Sequence, residues 1–164
     1  MKSDGVFLNG VYEDVLTEIL AVQEHLPDQT LFLQPYSGSP IVRLRNDPPS
    51  VDSPVPLLIS VTTDLPTVRY KAEIIGWDDK RTLPIVKREV LNRIIGTLQP
   101  NEKGLYDASR VEGAPSVNLL YVRRLRKLSE PFGIEKLTKV VDGEPASPGR
   151  TTAGGWVYVR VPAV

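Results

Sequence analysis

The feature that most constrains the fold of this chain is a ten-residue run, 68–77, in which the side chains alternate between two faces. One face carries Tyr70, Ala72, Ile74 and Gly76, and the other carries Arg69, Lys71, Glu73 and Ile75. A period of two predicts a half-buried β-strand, and this one ends in Trp77. The apolar run Leu57–Val61 precedes it across a turn, 62–67, so the two runs predict one antiparallel hairpin. At least part of the core must therefore be built on a sheet.

Two longer segments show the 3.6-residue period of amphipathic helices. The first, Val11–Leu26, has Glu18 on its polar side, ends before Pro27 and places the single histidine, His25, near its C-terminus. The second covers 83–98, and its predicted buried face consists of Val86, Val90, Leu91, Ile94, Ile95 and Leu98. Further strands are predicted at Thr30–Tyr36, Ile41–Arg45, Val117–Val122 and Trp156–Val161, and a short helix ends near Leu137.

Strands dominate this pattern, and two segments rich in proline or glycine, Asn46–Pro56 and Asp142–Gly155, are predicted to be loops. We therefore predict an α+β fold, a curved sheet or small β-barrel flanked by two to three helices. A chain of 164 residues fits a single domain, 1–164, in which 1–28 form an N-terminal helical extension.

Composition excludes several kinds of site. The chain has no cysteine, which rules out disulfides and zinc–thiolate centres, and one histidine cannot build a His-rich metal site. We expect no metal and no cofactor. Twenty basic and twenty acidic residues cancel, which argues against a broad, charge-driven clamp on nucleic acid but not against a small pocket for one base. Because the sequence shows no long apolar run and no signal peptide, we expect a cytoplasmic protein that does not enter a membrane.

A serine, Ser60, ends the first strand of the predicted hairpin, Pro66 lies in its turn, and Glu73–Ile75 form the centre of its second strand. A later strand is followed by Leu128, Pro131, Ile134 and Leu137. This order of motifs, with a helix between them, resembles the PUA-like superfamily over residues 30–141, in particular its EVE and YTH branches and the related ASCH domains. The chain departs from the family at Thr67, where a glycine is usual, and at the Pro-rich loop, 46–56, which replaces a turn of the Arg-x-Gly-Asp type.

The resemblance implies a non-catalytic domain that holds a modified base of a nucleic acid in an aromatic-lined pocket, as in modification-dependent defence systems and in RNA biology. Such a pocket needs flat rings for stacking and fixed polar groups that read the edge of the base. The candidate pocket residues are Trp77, Trp156, Tyr36, Ser60, Thr62, Thr63 and Asp64. The candidate contacts to the nucleic-acid backbone are Arg123, Arg124, Arg126, Lys127, Lys80 and Arg81.

Each candidate has a simpler alternative. Both tryptophans can serve in core packing, 60–64 can be an ordinary turn, and the basic run 123–127 can be a solvated strand end. Asp78 and Asp79 are adjacent and point apart in an extended segment, and no nucleophile–base pair is visible, so we predict that the protein is not an enzyme. A second hypothesis is a structural or protein-interaction subunit that docks on a larger complex, because the net charge is zero and the Pro-rich loop is long. A small-molecule or nucleotide enzyme is a third.

Overall fold

The computed structural model of the protein describes residues 4–27, 31–33, 40–96, 118–147 and 155–162. Its strands are β1 (Asp4–Val11), β2 (Leu31–Leu33), β3 (Val55–Val61), β4 (Thr67–Asp79), β5 (Asn118–Gly133), β6 (Thr138–Lys139) and β7 (Gly155–Arg160). Its helices are α1 (Glu13–His25), α2 (Pro40–Asn46) and α3 (Ile85–Gly96), with 3₁₀ turns at Lys80–Thr82 and Ile134–Lys136. The predicted element ends Thr30, Tyr36, Leu98 and Val117 lie outside the described residues.

The seven strands form one sheet in the order β2-β5-β4-β3-β1-β7-β6. β1 and β3 run parallel, and the other neighbouring pairs are antiparallel. The predicted hairpin is confirmed, since β3 pairs with β4 and places Val55 opposite Ile74. β2 and β6 lie at the two ends of the order, so the described sheet is open rather than a closed barrel. The protein is thus a mixed α and β structure with a seven-stranded open sheet and a few helices.

Apolar side chains cover both faces of the sheet. Neighbouring residues of a strand point to opposite faces, so Leu57 and Leu58 belong to two different clusters. The larger cluster includes side chains of the three helices, among them Leu16, Leu44 and Leu91. The smaller one packs against the segment 134–146. The helices therefore lie on one side of the sheet, and the chain after β5 covers part of the other.

Residues 4–11 correct the prediction of an N-terminal helical extension. They form β1, which lies between β3 and β7 and is buried along most of its length. Strands covered on both faces show short continuous apolar runs instead of alternation, and Val6, Phe7 and Leu8 are such a run. A run of three residues is too short to distinguish a strand from a loop by its period, which is why this strand was missed.

The predicted strand Ile41–Arg45 is wrong, because these residues belong to helix α2. In so short a window, alternation of apolar and basic side chains also fits one turn of helix. Leu44 packs into the core, while Arg43 lies 4.4 Å from the ring centroid of Tyr158 and forms an ion pair with Asp4 at 2.7 Å. These contacts connect Arg43 of α2 to the neighbouring strands β1 and β7.

Helix α1 is confirmed and begins after Tyr12. Leu16 and Ile19 are buried as the apolar stripe predicts, but Glu18, expected on the polar side, is buried too. The side-chain amide of Gln23 donates to the backbone oxygen of Leu125 and accepts from its N–H, both at 2.9 Å. These two bonds satisfy the backbone N–H and C=O of Leu125 in β5, as hydrogen bonds from a neighbouring strand would.

The second helix is confirmed as α3, and of its predicted buried face Leu91 is buried whereas Val86 and Val90 are not. Leu91 is 3% exposed, whereas Val86 and Val90 are 72% and 46% exposed. Ile85, at the start of the helix, is 75% exposed. The side chains of Ile94 and Ile95 lie outside those described. The apolar residues of α3 therefore occupy a larger part of the helix surface than the part that packs against the described core.

Three buried tyrosines, Tyr70, Tyr121 and Tyr158, give the fold a measurable pH dependence. Burial raises the pKa of Tyr70 to about 12, and the hydrogen bond that its hydroxyl donates to Glu13 acts in the same direction. Burial raises the pKa of Tyr158 to about 12 as well. Because the folded-state pKa exceeds the value of 10.0 for a free phenol, this stabilisation is complete below about pH 10 and is lost as the pH rises through 12.

We therefore expect the free energy of unfolding to fall between pH 10 and pH 12. Urea titrations across this range measure it, and Tyr70→Phe should flatten the pH dependence because the phenylalanine cannot ionise. A variant with the same slope as the wild type would contradict the assignment to Tyr70.

Candidate functional site at the end of strand β4

The last residues of β4 lie beside only one described strand. β3 begins opposite Ile74, whereas β4 continues to Asp79 and pairs there with β5 alone. Trp77 lies opposite Leu120, and Asp79 lies opposite Asn118. The chain then turns through Lys80–Thr82 into α3. We call the end of β4 and the turn, 77–84, together with Arg45, Lys87 and Arg88, the strand-end site.

The Trp77 indole is half-buried and held in place by polar contacts. Its ring packs against the helix-side core cluster, and its Nε1 donates to Oδ1 of the buried Asn118 at 3.3 Å. The guanidinium of Arg45, from α2, lies over the ring at 5.6 Å from its centroid. Such an exposed cation–π contact contributes roughly 0.5–1 kcal/mol, little enough for a flat ligand to displace the arginine.

Asp78 is oriented by two donors. The Tyr121 hydroxyl donates to its Oδ2 at 2.7 Å, and Lys87 of α3 forms an ion pair with the same oxygen. Lys87 also lies 5.0 Å from the centroid of the Tyr121 ring. Burial, reinforced by Asp78, raises the pKa of Tyr121 well above that of a free phenol, so the phenol stays protonated and remains a donor. The side chain of Asp78 is therefore held in a fixed position.

Asp79 is engaged by a different cation. Arg81 donates to it through its backbone N–H, Nε and Nη2, the last at 2.6 Å. These hydrogen bonds hold the pKa of the Asp79 carboxyl below its usual value. The two adjacent carboxylates thus have separate partners, as their opposite directions in an extended strand require.

The strand-end site has a positive excess. The site contains five cationic residues, Arg45, Lys80, Arg81, Lys87 and Arg88, and two carboxylates, Asp78 and Asp79, which is a formal excess of 5 − 2 = 3 charges. Arg88 donates to the backbone oxygen of Lys80 at 2.8 Å, which fixes the start of α3 against the turn. The chain as a whole is neutral, so this local excess is a property of the site.

The predicted pocket rim at 60–64 lies at the opposite end of β4. Ten residues separate Thr67 from Trp77, which corresponds to roughly 30 Å of strand. Ser60 is fully buried and accepts hydrogen bonds from the Asn9 side chain at 2.7 Å and from the backbone N–H of Gly10 at 3.2 Å. The structure therefore does not bring Ser60 together with Trp77, and a pocket shared between them is wrong.

The other predicted rim residues serve the β3–β4 turn. Asp64 forms an ion pair with Arg69 at 2.6 Å and accepts from the Thr67 hydroxyl at 3.0 Å. The backbone N–H of Thr62 donates to Val11, and Thr63 is exposed. These contacts close a turn and leave the carboxylate of Asp64 engaged.

A substitution tests the structural role of Ser60. Ser60→Ala should lower the free energy of unfolding by about 1–3 kcal/mol, because it removes an acceptor from two buried donors. Oligonucleotide affinity should not change, since Ser60 lies far from the strand-end site. Urea denaturation and fluorescence anisotropy measure the two effects. A tenfold loss of affinity without a loss of stability would instead return Ser60 to the binding site.

The remaining aromatic candidates are not placed at the strand-end site. Trp156 belongs to β7 and lies opposite Leu8 of β1, and β7 is three strands away from β4 in the sheet order. The side chain of Trp156 is not among those described. Tyr36 lies outside the described residues.

The predicted backbone contacts divide into two groups. Lys80 and Arg81 belong to the strand-end site, whereas Arg123, Arg124, Arg126 and Lys127 lie along the middle of β5. Arg126 lies opposite Lys71, six residues before Trp77 and so roughly 20 Å away along the strand. We call the β5 group the basic run.

A bulge shapes the basic run. Arg124 has φ of 54°, and the pairing with β4 shifts at this point. Consecutive residues of a regular strand point to opposite faces, but at this bulge Arg123 and Arg124 both reach Glu73, at 2.7 and 3.3 Å. Arg123 also donates to the backbone oxygen of Val51. One buried carboxylate thus holds two arginines, and Arg124 remains 70% exposed.

Sequence reasoning missed three residues of this region: Lys87, Asn118 and Tyr121. One of them left a signal, because Asn118 is a polar residue at the start of a buried apolar strand, where it needs a partner. Arg45 was assigned to a strand that is a helix. Within the described residues, no group of three or more His, Asp or Glu side chains is close enough to hold a metal ion. No helix in the described part of the chain is long and apolar enough to cross a membrane.

The chain matches no protein-family model, no curated protein and no solved structure. What it does must therefore be inferred from the strand-end site.

Proposed function

We propose that the protein binds nucleic acid without catalysis, with one base stacked on Trp77 and the adjoining phosphates neutralised by the cations of the strand-end site. The observation that carries this proposal is an anchored, half-buried indole beside Arg45, in a region with a formal excess of three positive charges. Aromatic stacking on a base contributes roughly 1–3 kcal/mol and tolerates any base, while lysine and arginine attract the backbone.

Recognition of a particular base falls to Asp79, which is two residues after Trp77 in β4 and therefore lies on the same face of the strand as the indole. A carboxylate accepts hydrogen bonds from exocyclic amino groups, and Arg81 holds this one in a fixed position. A base with a matching donor would gain this hydrogen bond and a base without one would not, which is a basis for discrimination. We place a modified base in this position, in keeping with the PUA-like resemblance.

The PUA-like assignment belongs to the same proposal. It is supported by the hairpin β3–β4, which carries Ser60, Pro66 and Glu73–Ile75 in the expected order, and by α3, which follows. The basic run supplies a second set of phosphate contacts through the exposed Arg124 and Arg126. Its contribution should appear only with strands long enough to span roughly 20 Å from Trp77.

Fluorescence anisotropy with labelled single-stranded DNA and RNA, each carrying either plain or modified bases, tests the proposal. We expect tighter binding to at least one modified oligonucleotide. Absence of binding to every oligonucleotide in a broad panel would overturn it.

The salt dependence of the same measurement tests the role of Arg45, which forms no ion pair with other described residues. For single strands, the slope of log K against log salt changes by about 0.7 for each phosphate neutralised. Arg45→Ala should reduce the slope by about this amount and weaken binding to all bases alike. Lys136→Ala, an exposed charge on another part of the surface, is the matched control. Equal slopes for Arg45→Ala and the wild type would remove Arg45 from the site.

A further inference from the structure

Helix α3 presents a second apolar face that no described part of the chain covers. Ile85, Val86 and Val90 lie on one side of the helix, opposite the buried Leu91. Their exposed fractions of 75%, 72% and 46% are far above those of core residues. A helix that is apolar on two sides is typical of one buried on two sides. The core formed by the described residues accounts for only one of them.

Two charges of opposite sign lie on this exposed face. Glu89 and Arg93 are four residues apart, one turn of the helix, and both are exposed. Within the described part of the chain, neither forms an ion pair with the other or with a third residue. By contrast, Lys87 points to the other side and pairs with Asp78. Among the described residues, the face therefore carries one anion and one cation without an ion-pair partner, beside three branched apolar side chains.

We infer that the occupant of this face is α3 of a second copy of the chain, packed antiparallel across a two-fold axis near Val90. A two-fold interface requires a self-complementary surface, in which residue i meets j and j meets i. Antiparallel packing about that axis brings Val90 against Val90 of the second copy. It also places Glu89 of each copy within reach of Arg93 of the other. The face is thus complementary to itself in both its apolar and its charged positions.

This arrangement has a consequence for binding. α3 also carries Lys87, so a dimer built on its opposite side holds two strand-end sites, one on each copy. Two linked sites engage neighbouring positions of one nucleic acid with a gain in avidity. The dimer does not depend on the proposed nucleic-acid function, because it rests only on the exposed face of α3.

Charge reversal tests the pairing. Glu89→Arg would place two arginines against each other across the axis, and Arg93→Glu would do the same with two glutamates. Sedimentation velocity should show a dimer for the wild type and a monomer for each variant at the same concentration. An equimolar mixture of the two variants should restore a dimer, because each contact again joins opposite charges. An ion pair within one helix cannot produce this result, since each variant carries like charges at 89 and 93.

Circular dichroism establishes that the variants keep their fold, and Lys136→Glu, a charge reversal elsewhere on the surface, should remain dimeric. The inference fails if the wild type is a monomer up to the highest soluble concentration. It also fails if the single variants remain dimeric or if their mixture stays monomeric. Dimers without oligonucleotide binding would refute the proposed function alone, and monomers that bind oligonucleotides would refute the dimer alone.

Discussion

Trp77→Ala is expected to weaken oligonucleotide binding by about 10- to 100-fold. A base stacked on an aromatic side chain contributes roughly 1–3 kcal/mol, and 1.4 kcal/mol corresponds to a factor of ten. Anisotropy titration with the tightest-binding oligonucleotide measures the loss. Trp77→Phe should retain much of the affinity because it keeps a flat ring, although it loses the hydrogen bond from Nε1 to Asn118.

The phenylalanine variant separates stacking from folding. Trp77 also packs against the core, so alanine will lower stability as well as affinity. Thermal unfolding of both variants shows whether each remains folded at the temperature of the titration. Tyr12→Ala, which removes an exposed aromatic side chain at the start of α1, is the matched control and should bind like the wild type. If Trp77→Ala is folded and binds with unchanged affinity, the base does not stack on Trp77.

Phe7→Ala is expected to lower the free energy of unfolding by about 3–5 kcal/mol, the usual cost of removing a buried phenylalanine. Phe7 is 2% exposed and lies in β1, where it packs in the smaller core cluster with Leu58 and Val159. Because many domains have a stability of only about 5–15 kcal/mol, this loss is large. Urea denaturation monitored by tryptophan fluorescence measures it.

The same substitution distinguishes two views of the N-terminus. If Phe7 lay in a peripheral helical extension, removing its side chain would lower the free energy of unfolding only slightly. In a strand between β3 and β7, it leaves a cavity in the centre of the sheet. Tyr12→Ala again supplies the comparison, with an expected effect within about 0.5 kcal/mol for an exposed position. Equal, small effects for both variants would contradict the position of β1.

The parts of the fold that were predictable are those with a long, regular period. β4 shows ten residues of alternation, and the Thr- and Pro-containing turn before it fixes a hairpin with β3. β1 has a run of only three consecutive apolar residues and no alternation, because its two faces are both covered. α2 is seven residues long, so its pattern fits a strand or a helix equally. The partners of β1 are distant in sequence, and no local pattern specifies them.

The site was predictable in part. Trp77, Lys80 and Arg81 lie within five residues of one another at the end of a strand. Residues so near in sequence are also near in space, so this part of the site can be predicted from the sequence. Arg45 belongs to α2 and Asn118 to β5, and only the tertiary fold brings them into contact with the indole of Trp77. The separation of Ser60 from Trp77 also follows from the sequence, because the strand between them is too long for its ends to meet. The length of that strand is by itself enough to exclude a shared pocket.

Direct observation of the Trp77 indole tests the central claim that this residue contacts a base. The chain has two tryptophans, so Trp156→Phe leaves Trp77 as the sole indole reporter. Titration of this variant with short oligonucleotides should quench its emission in a saturable way, with the tightest binding for a strand that carries a modified base. The midpoint should agree with the Kd from anisotropy. Saturable binding by anisotropy with no change in Trp77 emission would contradict the claim.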